Sequence, residues 1–348
     1  MHVAILDRPN DPLSLRLYQT NMVRELFGLG VEMSFFFEKG PIPHGCDLVW
    51  DPGMCMRRIP QILVTTDMPI VGTMHGVKAF ALGVDELVTG QDERHALLKL
   101  KDELTEDWKW FRHRVNAVVA VSNFAKEEVE QAFRLPPELV SVIYHGVDQN
   151  IFQPAGKYLS VNSPYFLHVS RMDPVKNLPR ILKAYSCLPR DGRPEFVVLA
   201  TPEEDQQLFT RMFEELAQQP GVVWLRDTIS QYDLAAWYRG ALALILPSLR
   251  ETFCLPVIEA MACGCPVVTS NCSGCAEVAG DAAIKIEPRS SQKISKAMRR
   301  VLYEPGLREE LREAGFKRAA EFAWDRAARE MLRIFSEILF CGHQRPPV

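Results

Sequence analysis

LPSLRETFCLPVIEAMACGCPVVTS, residues 246–270, reads as a strand end, a loop, a helix and a second strand. Pro256 is tolerated only in the first turn of a helix, and Gly264 suits a helix end. The helix should therefore run from about Phe253 to Cys263, with PVVTS as the next strand. Outward from this stretch the same alternation continues. HVAILD, VEMSFFF, DLVWD, PIVGTMHG, NAVVAVS and VSVIYHG come first, then YFLHVSR, EFVVLA, VVWLRD, LALILPS, PVVTS and AAIKI. Helix-period segments lie between them, such as SLRLYQTNMVRELFGLG, SNFAKEEVEQAF and QYDLAAWYRGA, the last offering Gly240 as a C-cap. Strands alternating with helices make parallel sheets covered by helices. About twelve strands exceed one open sheet, so the fold class expected is α/β with two doubly wound, Rossmann-like domains. Pro, Gly, Asn and Ser interrupt the pattern in DQNIFQPAGKYLSVNSPY, residues 148–165, and mark the boundary. The expected domains are 1–155 and 162–325.

The chain has 348 residues, 47% of them hydrophobic, enough to bury a large core. Its 44 acidic and 40 basic residues give a formal charge of -4, which provides no global footprint for nucleic acid. MHVAILD has no basic flank or cleavage site, and no apolar run reaches the roughly 20 residues of a spanning helix, so a cytoplasmic protein is expected. Nine scattered cysteines read as reduced thiols. The KDEL at 101–104 is internal and addresses nothing. WKWFRHRV, 108–115, could rest peripherally on the inner face of an anionic membrane. The preferred reading is a helix with one packed aromatic face and one solvated face.

Ligands of doubly wound sheets bind outside the carboxyl ends of the strands, so motifs just after strands matter most. After YFLHVS, RMDPVKN places Arg171 and Lys176 on a turn that opens a helix. Two cations beside helix N-terminal amides form a candidate phosphate site; the alternative is two solvated loop charges. Arg226 and Asp227 follow VVWLRD, where a base or ribose could be read, although a surface ion pair is the simpler account. Glu251 lies in the loop before the 246–270 helix and Glu259 within it. At about 1.5 Å per residue their backbones stand roughly 12 Å or more apart. Carboxylates that share one glycosidic bond stand only about 5–9.5 Å apart, so paired acid/base work is disfavoured. Two contacts on one long ligand, such as a nucleotide diphosphate sugar, fit better, with the helix N-terminus near the diphosphate.

Residues 247–288 resemble the Glu-seven-residues-Glu signature of retaining glycosyltransferases of family 4, which have the GT-B architecture. SVIYHGVDQNIFQP resembles the family's interdomain segment, FLHVSRMDPVKN its phosphate-binding turn and AVVAVSNFAKEEV the last strand and helix of its N-terminal domain. FAWDRAAREMLRIFSEIL resembles its closing helix. Together these cover about residues 115–340 in the family's order, which is far more specific than one motif. The resemblance implies two domains facing across a cleft, with residues 326–348 packing back toward the N-terminal domain. It implies that Glu251 contacts sugar hydroxyls and that the amides of Thr252, Phe253, Cys254 and Leu255 hold sugar and diphosphate. Glu259 would bind the ribose, and Arg171 and Lys176 would neutralise the leaving diphosphate. His75, in GTMHG, matches the family's histidine near the donor sugar; the alternative is a satisfied loop histidine. His145, where the family often carries Asn, is left structural.

The chain departs from the family in places. LDRPNDPLSLRLY lacks the Gly-Gly that usually follows the first strand, so residues 1–110 match weakly. Thr252 and Cys254 stand where glycines are frequent, and Ser170 where Gly is common. Cys263, Cys265, Cys272 and Cys275 have a zinc-like spacing, but tetrahedral zinc needs all four sulfurs about 2.3 Å from one point. The expected strand PVVTS separates the pairs by roughly 15–20 Å, so packing cysteines are preferred over a zinc site. No D-x-D occurs. The expectation is a metal-independent, retaining glycosyltransferase without a cofactor, taking a nucleotide diphosphate sugar as donor and a sugar, lipid-linked or small-molecule acceptor. A sugar-nucleotide epimerase of the same fold and a noncatalytic sugar-nucleotide-binding protein are the alternatives.

Overall fold

The computed structural model describes residues 1–54, 57–81, 90–161, 163–201, 207–227 and 229–340. Within them each β-branched run forms a strand. β1 (His2–Leu6), β2 (Glu32–Phe36), β3 (Leu48–Met54), β4 (Ile70–Met74), β5 (Ala117–Ala120) and β6 (Val140–Val142) make one sheet, in the order β2-β1-β3-β4-β5-β6. β7 (Tyr165–Arg171), β8 (Glu195–Thr201), β9 (Val222–Leu225), β10 (Ala243–Leu246), β11 (Val267–Ser270) and β12 (Ile284–Ile286) make the other, ordered β12-β11-β10-β7-β8-β9. The pairings are parallel. β3, β10 and β11 are buried along their whole length, as strands covered on both faces must be.

Parallel neighbours need crossovers, and helices supply them. The first half carries α1 (Leu13–Gly28), α2 (Gln61–Thr65), α3 (Gln91–Phe111) and α4 (Asn123–Phe133). The second carries α5 (Leu178–Ser186), α6 (Gln207–Ala217), α7 (Gln231–Gly240), α8 (Leu255–Ala262) and α9 (Ser273–Ala279). α10 (Ser291–Tyr303), α11 (Leu307–Ala319) and α12 (Trp324–Phe340) complete the chain. The contacts divide into two units. One takes most of the chain as far as Gly146 and resumes at Ala323; the other is built on Val147–Phe322.

In the first unit, Tyr18, Met22 and Leu26 of α1 share a buried cluster with Trp50 of β3 and with Trp324, Ala328, Met331 and Phe335 of α12. Gly146 permits this closure, because a Cβ there would stand 2.3 Å from the Trp324 amide nitrogen. Trp108 and Phe111 of the basic aromatic run are buried, with Trp108 stacked on Phe133 at 4.7 Å, while Trp110 remains exposed. The run thus has one packed and one solvated face.

In the second unit, Phe166, Phe196, Ile245 and Val268 from four strands meet Leu182 and Tyr185 of α5 and Met298 of α10. Two local expectations need correction. Gly240 does not cap α7. It is the last helical residue, and a Cβ there would lie 2.1 Å from the Leu159 carbonyl oxygen and 2.5 Å from the Tyr165 hydroxyl. Close approach, not left-handed backbone, requires the glycine. α8 begins at Leu255 rather than Phe253, because Cys254 has φ +81° and ψ +61°, which no right-handed helix can include.

Chain order sets where each sheet reverses. β1 leads outward to β2 before the chain returns to β3 on its other side, and β7 leads out through β8 and β9 before β10 returns. The carboxyl ends of β1 and β3, and of β7 and β10, are therefore the switch points at which such sheets hold ligands.

Candidate active site

The turn after β7 and the loop after β10 are tied together by backbone-directed bonds. Asn177, buried and left-handed at φ +64°, donates from Nδ2 to the Pro247 carbonyl at 2.9 Å and the Pro288 carbonyl at 2.7 Å. Leu249 N–H donates to the Val175 carbonyl at 2.7 Å. These bonds bring Lys176 and Glu251 together, and Lys176 Nζ donates to Glu251 Oε1 at 2.5 Å. Their side chains are only 16% and 14% exposed. Burial alone would lower the Lys176 pKa, but the Glu251 carboxylate outweighs it and the ammonium is held above its ordinary value. Sequence reading placed the two on different parts of a ligand; the fold makes them one ion pair. Arg171 ends β7 on the exposed side.

Beyond Glu251 the backbone passes Thr252 and Phe253, turns left-handed at Cys254 and enters α8 at Leu255. Burial pushes the Cys254 thiol well above its usual pKa, so it stays protonated. Glu259, on the second turn of α8, accepts a hydrogen bond from the Tyr238 hydroxyl of α7 at 3.1 Å. Burial lifts its pKa to about 7, against the lowering effect of that bond. The two glutamates therefore sit in separate neighbourhoods, one paired with a cation and the other with a phenol. Tyr238 was missed from the sequence, where nothing links it to a residue 21 positions on. Arg226 pairs with Glu214 at 2.9 Å and lies 4.0 Å over the Trp224 ring, on the outer strand β9, rather than pairing with Asp227; both residues are exposed. The structure brings together Lys176 and Glu251, and leaves Arg226 two strands from the switch point.

In the first unit His75 follows β4. Its Nε2–H donates to the Pro52 carbonyl at 2.9 Å, which leaves Nδ1 as the acceptor. Its ring packs edge-on to Tyr18 at 4.7 Å and lies 5.3 Å from that of His145. Burial lowers the His75 pKa to about 4 and takes His145 well below its ordinary value, so both are neutral. The loop without glycines has its own chemistry at the β1/β3 switch point. Arg8 donates to both carboxylate oxygens of Asp51, at 2.5 and 2.9 Å, and to Glu38 at 2.6 Å, while Arg57 pairs with Asp11. The signal for this lay in DLVWD, where a carboxylate inside an apolar strand demands a buried partner.

Of the four cysteines with zinc-like spacing, Cys263 caps the end of α8, Cys265 precedes β11, and Cys272 and Cys275 lie at and inside α9. Among the described residues no group of three or more His, Cys, Asp or Glu converges to hold a metal. Among the same residues no helix is long and apolar enough to cross a membrane.

Two family models match the chain in order: Glycosyltransferase Family 4 over residues 20–150 and Glycosyl transferases group 1 over residues 151–318. O-antigen chain mannosyltransferase B of Escherichia coli is 27% identical over 229 residues. That match takes 63% of this chain but spans only 60% of the mannosyltransferase. Among solved structures, sucrose-phosphate synthase from Thermosynechococcus elongatus superposes with a TM-score of 0.77 at 18% identity, covering 98% of this chain and 99% of its own. Anabaena HepE in complex with UDP and glucose gives 0.74 at 16% identity, with 97% and 99% coverage. Since the two family matches run consecutively over the two doubly wound sheets, the chain belongs to the group 1 glycosyltransferases, family 4-like and of GT-B fold.

Proposed function

We propose that this glycosyltransferase moves a sugar from a nucleotide diphosphate sugar to the hydroxyl of a sugar, lipid-linked or small-molecule acceptor, with retention of configuration and without a metal ion. The contact between Lys176 and Glu251 carries the reading. An ammonium that meets phosphate oxygens and a carboxylate that meets sugar hydroxyls stand side by side at the start of α8, as a donor's diphosphate and sugar do. The UDP and glucose bound to HepE support this donor class. Thr252, Phe253, Cys254 and Leu255 would hold the diphosphate and sugar through backbone amides, and Glu259 the ribose. As the anomeric C–O bond breaks, charge grows on the diphosphate, and Lys176 with Arg171 would stabilise it in place of a metal. The departing phosphate oxygen would take the acceptor's proton as the new C–O bond forms on the same face. The separate surroundings of Glu251 and Glu259 support this, since neither is placed as the other's acid or base. His75 would act as a neutral hydrogen-bonding group. Arg226 and Asp227 are not required.

UDP-glucose, GDP-mannose and ADP-glucose, tested by thermal shift, should separate: the true donor at 100 times its Kd adds about 2.7 kcal/mol of stability. Release of nucleoside diphosphate from that donor should survive EDTA, and NMR should find the donor's anomeric configuration in the product. No shift and no release with any of the three would sink the reading. An inverted product would remove retention, and loss of release in EDTA would remove metal independence.

A further inference from the structure

We infer that Ser273 is a positioning residue for Glu251, an inference that rests on the sugar-holding role proposed for that glutamate. The Ser273 hydroxyl accepts the Glu251 backbone N–H at 3.1 Å. The next residue, Gly274, donates its N–H to the Glu251 carbonyl at 2.8 Å. Two adjacent residues at the start of α9 therefore grip both polar groups of the glutamate's own backbone. The grip needs very close approach: a Cβ on Gly274 would stand 2.4 Å from the Thr252 carbonyl oxygen and 2.8 Å from the Phe253 nitrogen.

Ser273 has φ +58°, in the left-handed region where glycine or asparagine is at ease and serine is uncommon. Glycine would relieve the backbone but could not supply an acceptor. The hydroxyl is the one feature that sets serine apart there, and its bond is to Glu251. Lys176 holds the other end of the same residue, at the carboxylate. Glu251 is thus fixed at both its backbone and its side-chain terminus, the condition for placing a hydrogen-bonding group to within a fraction of an ångström.

Ser273→Gly tests this, because it removes the acceptor while easing the backbone. The assay is release of nucleoside diphosphate, with water as acceptor, from whichever of UDP-glucose, GDP-mannose and ADP-glucose stabilises the protein most. Expected are an unchanged or higher Tm, unchanged affinity for the free nucleoside diphosphate, and kcat lower by about three- to tenfold, the range for one lost hydrogen bond. Ser273→Asn, which tolerates the same backbone and offers an acceptor, should recover part of kcat. In a Glu251→Gln background Ser273→Gly should have little further effect, since coupled residues are not additive. Wild-type kcat in Ser273→Gly beside an impaired Glu251→Gln overturns the positioning role alone. A lower Tm with weaker nucleotide binding makes Ser273 merely structural and also overturns it. Full kcat in Glu251→Gln overturns the role of Glu251 itself, and this inference with it.

Discussion

Glu259 holds its proton far above the usual carboxylate range, to about pH 7, because burial disfavours the charge more than Tyr238 supports it. An unfolded glutamate titrates near 4.5. Between these values the folded state binds more protons than the unfolded one, so this residue's contribution to stability is complete below about pH 4.5 and is lost as pH rises through 7. Glu259→Gln removes the titration, and urea denaturation should show the variant gaining on the wild type from pH 5 to 8. Ligand binding should run the other way. Ribose hydroxyls donate to a carboxylate, so nucleoside diphosphate affinity should rise with pH in the wild type relative to the variant. Loss of a charge-assisted pair of bonds should weaken binding about tenfold at pH 8 and far less at pH 6. Parallel titration-calorimetry profiles for the two proteins would remove Glu259 from the ribose site. Glu251→Gln should differ in kind: it releases Lys176 from its ion pair, so nucleoside diphosphate affinity should hold or improve while kcat falls with the intact sugar donor.

Among the elements, α8 depends on the residue just before it. Cys254 at φ +81° must turn the chain so that the loop meets the helix N-terminus, a conformation that a residue other than glycine adopts only under strain. Cys254→Gly would relieve that strain and lose one small buried side chain, and should change stability by less than about 1 kcal/mol. Cys254→Val adds β-branching where φ is positive and should destabilise by about 2 kcal/mol or more, read from chemical denaturation. Equal stabilities would mean that the backbone turn is not maintained in solution. The strand-to-helix order around α8 was legible in residues 246–270 because Pro256 and Gly264 act locally. Its true start was not, since the cysteine is held left-handed by the packing around it and not by any preference of its own. Gly240 gives the same lesson: the residue could be marked from sequence, but its reason, the Leu159 carbonyl against its Cα, arises only when distant segments meet.

Among the described residues of the whole molecule, the buried His145 and His168 and the half-buried His75 face acid. Burial lowers His75 and His168 to about 4 and His145 well below its usual value, so at these three sites the folded chain takes up fewer protons than the unfolded chain between about pH 4 and 6.5. Their stabilisation is complete above 6.5 and is lost as pH falls through that window. Glu259 and Asp11, both raised by burial, oppose the trend; Glu259 offsets His168 in the second unit, so the acid sensitivity lies with His75 and His145 of the first. Tm should therefore drop by several degrees between pH 7 and 5, and His145→Gln should flatten the fall; a level profile in calorimetry would contradict the buried, neutral state. At this scale the primary structure determined a good deal by itself. Twelve β-branched runs separated by helix-period segments specified the twelve strands found among the described residues and their parallel sheets, because hydrophobic periodicity and turn residues act within a few positions. It also marked Lys176, Glu251 and Glu259 by their places after strands and beside a helix start. Tertiary structure alone decided which of them meet. The ion pair between residues 75 positions apart, the burial that keeps Glu259 protonated against its phenol partner, the Arg8–Asp51 pair in place of a glycine loop and the grip of Ser273 on Glu251 all depend on strand order. Strand order is settled by which crossovers bury the most apolar surface over the whole chain, a sum that no local stretch contains.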